Sequence, residues 1–141
     1  MKKKLILLFV LLTISLTSYA NLSDRLVAYY SFDYTANIGY DSSSCTNNGG
    51  AHGGVGIACG IFGKAASFDG INGYISVPDD ASLNFKDTYT IAAWIKPNVT
   101  NSNRAIVSKW ADSPNDQRAY RFTIMEGQIL QTVNWDSQTQ S

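Results

Sequence analysis

Residues 62–78 read FGKAASFDGINGYISVP, and this stretch decides the fold of the chain. Two short runs of apolar and β-branched residues, 65–68 and 74–77, flank a glycine-containing segment at 69–73. Pro78 then removes the backbone donor that a further ladder position needs. The pattern predicts two β-strands separated by a turn. It leaves open whether the turn binds a metal, contacts a carbohydrate or only shapes the backbone, and we expect Asp69 to accept hydrogen bonds from the turn's own amides.

The rest of the chain is also typical of β-strands. Further strand-like runs are predicted at 26–32, 88–96, 104–110, 120–125 and 128–135. Glycine, proline and short polar residues separate them, and no window has a sustained helical period, so the sequence predicts an all-β sandwich. Both faces of 88–96 are apolar, which predicts a central strand with Trp94 in the core. In 120–125, Tyr120, Phe122 and Ile124 alternate onto one apolar face.

The N-terminus has the pattern of a secretory signal peptide. Three lysines at positions 2–4 precede a twelve-residue apolar stretch at 5–16, and small residues follow at Ser18 and Ala20. The apolar stretch is shorter than the roughly 20 residues that a membrane-spanning helix needs. We therefore predict a signal peptide at 1–20 and a mature domain at 21–141. The protein is expected to be secreted, periplasmic or on the cell surface, and its lysine-rich start indicates a bacterium.

The charge of the mature chain limits its partners. Without the three leader lysines, eight basic residues face eleven acidic ones, which gives a net charge of −3. No cluster of lysine or arginine remains after position 4. This composition argues against nucleic acid and against anionic membrane surfaces as partners.

The two cysteines are expected to form a disulfide, because an exported protein meets an oxidising compartment. A bridge between Cys45 and Cys59 would close a loop of about 15 residues, worth about 3 kcal/mol by chain-entropy estimates. The loop between them is rich in glycine and asparagine and poor in apolar residues. His52, within it, is expected to be a solvated loop residue, since two thiols and one imidazole fit no metal-ligand spacing.

Several of these stretches, taken in order, resemble the LamG-like jellyroll family of the concanavalin A-like lectin/glucanase group. The matching stretches are 26–32 (LVAYYSF), 41–43 (DSS), 62–70 (FGKAASFDG), 74–79 (YISVPD), 90–97 (TIAAWIKP), 106–110 (IVSKW) and 120–122 (YRF). The resemblance spans about 26–133 and implies a concanavalin A-like jellyroll β-sandwich. Family domains are usually longer, so it also implies that 21–141 is the N-terminal part of a domain, truncated at the C-terminus. The cysteines are a local addition to the family pattern.

The family fold hosts both binding modules and enzymes, so its function must be argued from the residues. Glycanases need two carboxylates flanking the glycosidic bond. Glu126 is the single glutamate of the chain, and it falls in a predicted hairpin turn. Asp79 and Asp80 follow Pro78, where turn formation and capping of a short helix explain them. We therefore expect no enzymatic activity.

The residues instead favour a non-catalytic module that binds a glycan or a cell-surface ligand. Trp110, at a strand end, is the predicted stacking platform, with Asp112 beside it. The loop 112–117 is rich in oxygen donors. By its similarity to the calcium-binding pentraxins, Asn115 and Asp116 are the implied calcium ligands. Two other readings stay open: an accessory β-sandwich fragment without a ligand of its own, and a non-catalytic part of an extracellular glycan-processing enzyme.

The leader prediction is tested by export. Because small residues at Ser18 and Ala20 precede the expected cleavage point, the protein recovered from the periplasm or medium of an expressing bacterium should begin at Asn21. Intact-mass measurement and N-terminal sequencing check this. Recovery of exported protein that retains residues 1–20 would contradict it.

Overall fold

The computed structural model describes residues 22–85, 88–98, 103–110, 118–126 and 129–134. Within these ranges the secondary structure consists of antiparallel strands and two short 3-10 helices, which confirms the prediction of an all-β fold. The strands are β1 Gly50–His52, β2 Val55–Cys59, β3 Lys64–Phe68, β4 Tyr74–Ser76, β5 Arg104–Trp110, β6 Arg118–Met125 and β7 Ile129–Asn134. The 3-10 helices are Leu22–Arg25 and Ala81–Leu83. No helix in the described part of the chain is long and apolar enough to cross a membrane.

The first four strands form one interrupted hairpin. β2 pairs with β3, with Val55 opposite Phe68, and β1 pairs with β4 outside them, with Gly50 opposite Ser76. The two strands predicted around residues 69–73 are therefore confirmed. They do not pair with each other, however: β3 pairs with β2, and β4 pairs with β1. Segment 69–73 is an insertion within one arm of the hairpin and not a hairpin turn.

The remaining three strands form a sheet in the order β5-β6-β7. Tyr120 and Ile124 of the middle strand are 6% and 7% exposed, the buried hydrophobic residues of the described ranges, as the alternating pattern predicted. The rings of Phe85 and Tyr89 pack on Tyr120, with centroids 5.2 and 5.6 Å from its ring. Such aromatic pairs contribute about 0.5–1.5 kcal/mol each beyond the area they bury.

The prediction of a central strand at 88–96 was wrong. Residues 88–98 carry no strand, Trp94 is 80% exposed and Ile95 is 42% exposed. Two apolar faces favour a strand, but a strand exists only where another segment supplies its hydrogen bonds. No other part of the described ranges pairs with 88–98. The middle position of the three-stranded sheet belongs to β6.

The opening segment 26–32 was also predicted as a strand, and it forms side-chain and loop contacts instead. The Tyr29 N–H donates to the carboxylate of Asp41 at 2.8 Å, and the Tyr29 carbonyl accepts from the Ser42 N–H at 2.9 Å. Phe32 has φ +64°, in the left-handed region, which no regular strand tolerates. The segment is therefore held by the loop that follows it and not by a ladder.

A buried carboxylate organises that loop. Asp41 is 1% exposed. Its Oδ1 accepts from the N–H groups of Tyr29 and Ser43 at 2.8 Å each. Its Oδ2 accepts from the Ser43 hydroxyl and the Asn47 N–H at 2.7 Å each. Burial by itself raises the pKa of Asp41, but these hydrogen bonds favour the charged form and lower the pKa on balance.

Asn47 extends the network to more distant parts of the chain. Its side-chain amide donates to the Val27 carbonyl at 2.9 Å and to the Ser82 hydroxyl at 3.0 Å. Its own carbonyl accepts from the Tyr30 hydroxyl at 2.6 Å. One loop residue thus joins the opening segment to the second 3-10 helix.

The predicted disulfide is not formed: Cys45 and Cys59 are both free and exposed. Each is held by a different part of the fold. Cys59 pairs with Lys64 at the end of the β2–β3 ladder, whereas the Cys45 N–H donates to the Ser43 hydroxyl at 3.2 Å. Without a bridge, the glycine-rich loop is held near its start by the bond from the Asn47 N–H to Asp41, and the β1 and β2 ladders order its second half.

Substitution of the buried carboxylate should destabilise the fold. In Asp41→Asn, the new amide group points its hydrogens at an N–H or O–H donor, so at least one buried donor loses its acceptor. We expect a loss of about 2–3 kcal/mol in the free energy of unfolding, measured by urea denaturation.

Asp33→Asn is the matched control. Asp33 is exposed, and its carboxylate accepts one backbone hydrogen bond, from the Lys64 N–H at 2.9 Å, which an asparagine oxygen can also accept. Its cost should stay below about 0.5 kcal/mol.

Because the pKa of Asp41 is lowered in the folded state, the stabilisation that Asp41 contributes is present above the unfolded pKa of about 4 and is lost as pH falls below that value. Two results would contradict this account: an equal loss in the free energy of unfolding for both variants, or a loss of stability at acid pH that is the same in Asp41→Asn as in wild type.

Candidate functional site

Trp110 is the one residue of the predicted ligand-binding set that the structure describes. It lies half-buried at the end of β5, and the Arg121 guanidinium is 5.2 Å from its ring centroid. This is the geometry of a cation–π contact. The predicted platform therefore already has a cation over its ring. Asp112, Asn115 and Asp116 lie outside the described residues, so the calcium site and the second ligand contact stay predictions.

Within the described ranges, no group of three or more histidine, cysteine or acidic residues is placed to hold a metal ion. The acidic pair after Pro78 shows how the carboxylates there are used. Asp79 Oδ1 lies 2.6 Å from the ammonium of Lys109, which also donates to Asn84 Oδ1 at 2.6 Å. Asp80 caps the second 3-10 helix, where its Oδ1 accepts from the Ser82 N–H at 2.8 Å. The predicted capping role is confirmed.

The insertion at 69–73 is shaped by its own aspartate, as expected. Asp69 Oδ1 accepts from three consecutive N–H groups, those of Ile71 at 2.9 Å, Asn72 at 3.1 Å and Gly73 at 2.9 Å. These bonds lower the pKa of the Asp69 carboxyl group, and the bond from Ile71 has the largest effect. An oxygen that already accepts three amides is committed to shaping the backbone.

Two glycines of the opposite arm make room for this insertion. Gly53 has φ +63°, which favours glycine, and a side chain on Gly54 would collide with the carboxylate of Asp69. The backbone of Gly54 bonds the insertion at both of its groups: its carbonyl accepts from the Asp69 N–H at 3.0 Å, and its N–H donates to Asn72 Oδ1 at 3.1 Å. The insertion is therefore attached to both arms of the hairpin.

Two pairs of exposed aromatic rings were missed by the sequence reasoning. His52 and Tyr74 stack with centroids 4.8 Å apart and 17° between ring planes, on neighbouring strands β1 and β4. Tyr34 and Tyr40 pack at 4.4 Å with a 40° tilt. His52 was expected in a loop, and it is exposed, as predicted, but lies on a strand. The alternation in Tyr74-Ile75-Ser76 was the available signal for an outward-facing ring.

The comparisons with known proteins identify the family. A laminin G-type family model, described as Concanavalin A-like lectin/glucanases superfamily, matches residues 69–141, just over half of the chain. The chain belongs to this superfamily. The match begins at Asp69, the residue that shapes the insertion, and confirms the resemblance drawn from the sequence motifs. No curated protein and no solved structure matches the chain.

Membership of the superfamily indicates a carbohydrate-binding or adhesion-type module. The antiparallel sheets of the described ranges are consistent with its β-sandwich architecture. Lectins and glucanases share the superfamily name, so the choice between binding and catalysis depends on the individual side chains.

The role of Asp69 can be tested by amide exchange. Asp69→Ala removes the common acceptor of three N–H groups, so exchange at residues 71–73 should accelerate on the order of tenfold or more. Hydrogen exchange followed by NMR measures each amide separately. Asp79→Ala, which removes an exposed carboxylate that pairs with Lys109, should leave these amides unchanged. Unaltered exchange in Asp69→Ala would refute the assignment.

Proposed function

We propose that this protein is an exported, non-catalytic module that binds a glycan or another cell-surface ligand. The observation that carries the proposal is the superfamily match over residues 69–141. The predicted signal peptide at 1–20 supports export. The net charge of −3 in the mature chain and the lack of a basic cluster support a partner other than nucleic acid.

The use of the carboxylates supports binding without catalysis. A general acid in a glycosidase has a raised pKa. The carboxyl groups of Asp41, Asp69 and Asp80 have lowered pKa values. For Asp41, burial raises the pKa, but hydrogen bonds to the carboxylate outweigh it. For Asp69 and Asp80, hydrogen bonds are the largest cause of the lowered pKa. Each accepts from backbone N–H groups, so each is engaged in local structure.

Glu126 lies at the surface of the structure. Glu126 is exposed directly after β6, and its N–H donates to Asn103 Oδ1 at 3.2 Å. It is the single glutamate of the sequence. Glycoside hydrolysis requires two carboxyl groups about 5–10 Å apart on either side of the scissile bond. The chain's residues favour recognition of a sugar over cleavage of one.

We further propose Trp110 and Asp112 as ligand contacts, and Asn115 and Asp116 as contributors to a calcium site. Trp110 ends β5 immediately before this polar loop. The Arg121 guanidinium over the Trp110 ring keeps the indole oriented. Carboxylate and amide oxygens are the ligands that Ca²⁺ prefers, and both occur at 115–116.

A glycan array tests the proposal. The mature chain should bind at least one class of glycan, and Trp110→Ala should weaken that binding if the ring contacts the sugar. Absence of binding to every glycan class, with and without EDTA, would overturn the carbohydrate proposal and favour an accessory sandwich without a ligand of its own.

The calcium assignment has its own measurement within this experiment. EDTA should reduce array binding, and calorimetric titration should show Ca²⁺ binding to wild type that Asp116→Ala lowers. Asp24→Ala, which removes an acidic residue from the first 3-10 helix, is the control. Identical titrations for wild type and Asp116→Ala would remove Asp116 from the site while leaving the glycan proposal intact.

A further inference from the structure

We propose that Asn72-Gly73 is a site of spontaneous covalent modification in the folded protein, where the asparagine loses its side-chain amide and becomes aspartate or isoaspartate. Asparagine is a labile residue, and a following glycine favours the reaction because its backbone is free to bend and carries no β-carbon. The sequence contains two such dipeptides, Asn48-Gly49 and Asn72-Gly73. They differ in the surroundings of the glycine, and this difference leaves the second one reactive.

The reaction consumes water and releases ammonia. The backbone nitrogen of Gly73 attacks the side-chain carbonyl carbon of Asn72, so a nitrogen–carbon bond forms and the proton of the attacking N–H passes to a base in solvent. The bond from that carbon to the side-chain nitrogen then breaks, and the nitrogen takes up a proton and leaves as ammonia. Water opens the resulting cyclic imide at either of its carbonyl groups, which gives aspartate or isoaspartate. The reaction needs neither an oxidant nor a reductant.

The side-chain carbonyl group is held in the same way at both asparagines. Asn72 Oδ1 accepts from the Gly54 N–H at 3.1 Å, and Asn48 Oδ1 accepts from the Asp41 N–H at 2.9 Å. Such a donor also stabilises the negative oxygen that forms when the carbonyl is attacked. Both asparagines are exposed, so ammonia can leave from either. The two sites therefore differ at the glycine nitrogen.

The nitrogen of Gly49 is enclosed. Its N–H donates to the Gly39 carbonyl at 2.7 Å, and both glycines are buried. A β-carbon on Gly49 would lie 2.5 Å from the side chain of Ile75, so the backbone packs tightly against that side chain. Breaking the bond would leave a buried carbonyl without a donor, which is costly. Attack on Asn48 therefore requires the whole loop to open.

The nitrogen of Gly73 is held at the surface. Its N–H donates to Asp69 Oδ1 at 2.9 Å, and the same oxygen accepts from Ile71 and Asn72. Asp69 is exposed, so water can take the place of the carboxylate when this bond opens. Gly73 itself is half-buried, but the backbone that it approaches, at Gly54, is exposed. A local opening thus frees the nitrogen for attack, and the bond to Asp69 limits how often that happens.

The modification would loosen the attachment of the insertion to the opposite arm of the hairpin. In isoaspartate the main chain runs through the former side-chain carbon, so the carbonyl that accepted from the Gly54 N–H becomes part of a longer backbone. The amides of residues 71–73 then no longer have the spacing that suits Asp69 Oδ1. In aspartate the bond from Gly54 can persist, but a second negative charge lies close to Asp69.

Mass spectrometry of peptides from aged protein tests the proposal. The full chain is incubated at mildly alkaline pH, both folded and unfolded in urea, and the conversion of amide to acid is followed at each Asn-Gly dipeptide. The rate in urea divided by the rate in the folded protein gives the protection by the fold. This ratio should be at least about tenfold greater at Asn48 than at Asn72. Asp69→Ala should raise the rate at Asn72 several-fold in the folded protein and leave that at Asn48 unchanged.

Asp79→Ala, which removes an exposed carboxylate paired with Lys109, is the matched control and should leave both rates unchanged. Folding of each variant is checked by its ¹H–¹⁵N spectrum. Equal protection of the two asparagines, or no product at Asn72 in the folded protein, would overturn the assignment of the site. An unchanged rate at Asn72 in Asp69→Ala would overturn the role of the Asp69 bond. The proposed function stands apart from each of these outcomes, because no glycan takes part in the measurement.

Discussion

The buried carboxylate of Asp41 is the constraint on which the N-terminal half of the structure depends. It gathers four hydrogen bonds at 2.7–2.8 Å and so fixes the opening segment against the following loop. Through Asn47 the same network reaches Tyr30, whose pKa is raised to about 12 by burial and then by the nearby charges of Asp41 and Tyr120. An unpaired carboxylate is costly to bury, and here complete hydrogen bonding offsets that cost.

The elements that the sequence predicted correctly are those whose signals are local. β3 and β4 follow from two short apolar runs around a turn, and β6 from the alternation of Tyr120, Phe122 and Ile124. The roles of Asp69 and Asp80 follow from short side chains that reach backbone amides two to four residues ahead. In each case the interacting groups lie within a few residues of one another, so the spacing along the chain already contains the geometry.

The elements that it missed depend on a distant partner. The runs at 26–32 and 88–96 have strand composition, yet composition cannot say whether another segment pairs with them. Conversely, the glycine-rich region that contains β1 and β2 looked like a loop requiring a disulfide, and it is ordered by pairing with β3 and β4. The candidate sites follow the same rule. Trp110 was recognisable by residue type, whereas the approach of Arg121 depends on a β5–β6 register that includes a bulge.

In the insertion at 69–73, the shape of the backbone does not depend on the side chain at the tip, Ile71. The three amides after Asp69 are bonded to its carboxylate, and the ladders on either side fix where the segment begins and ends. Ile71 at its tip is 88% exposed and takes no part in holding that shape with its side chain. The side chain at position 71 is therefore presented to solvent without being needed for the backbone shape. Evolution, or a protein engineer, can exchange the residue presented there while the surrounding scaffold keeps its form.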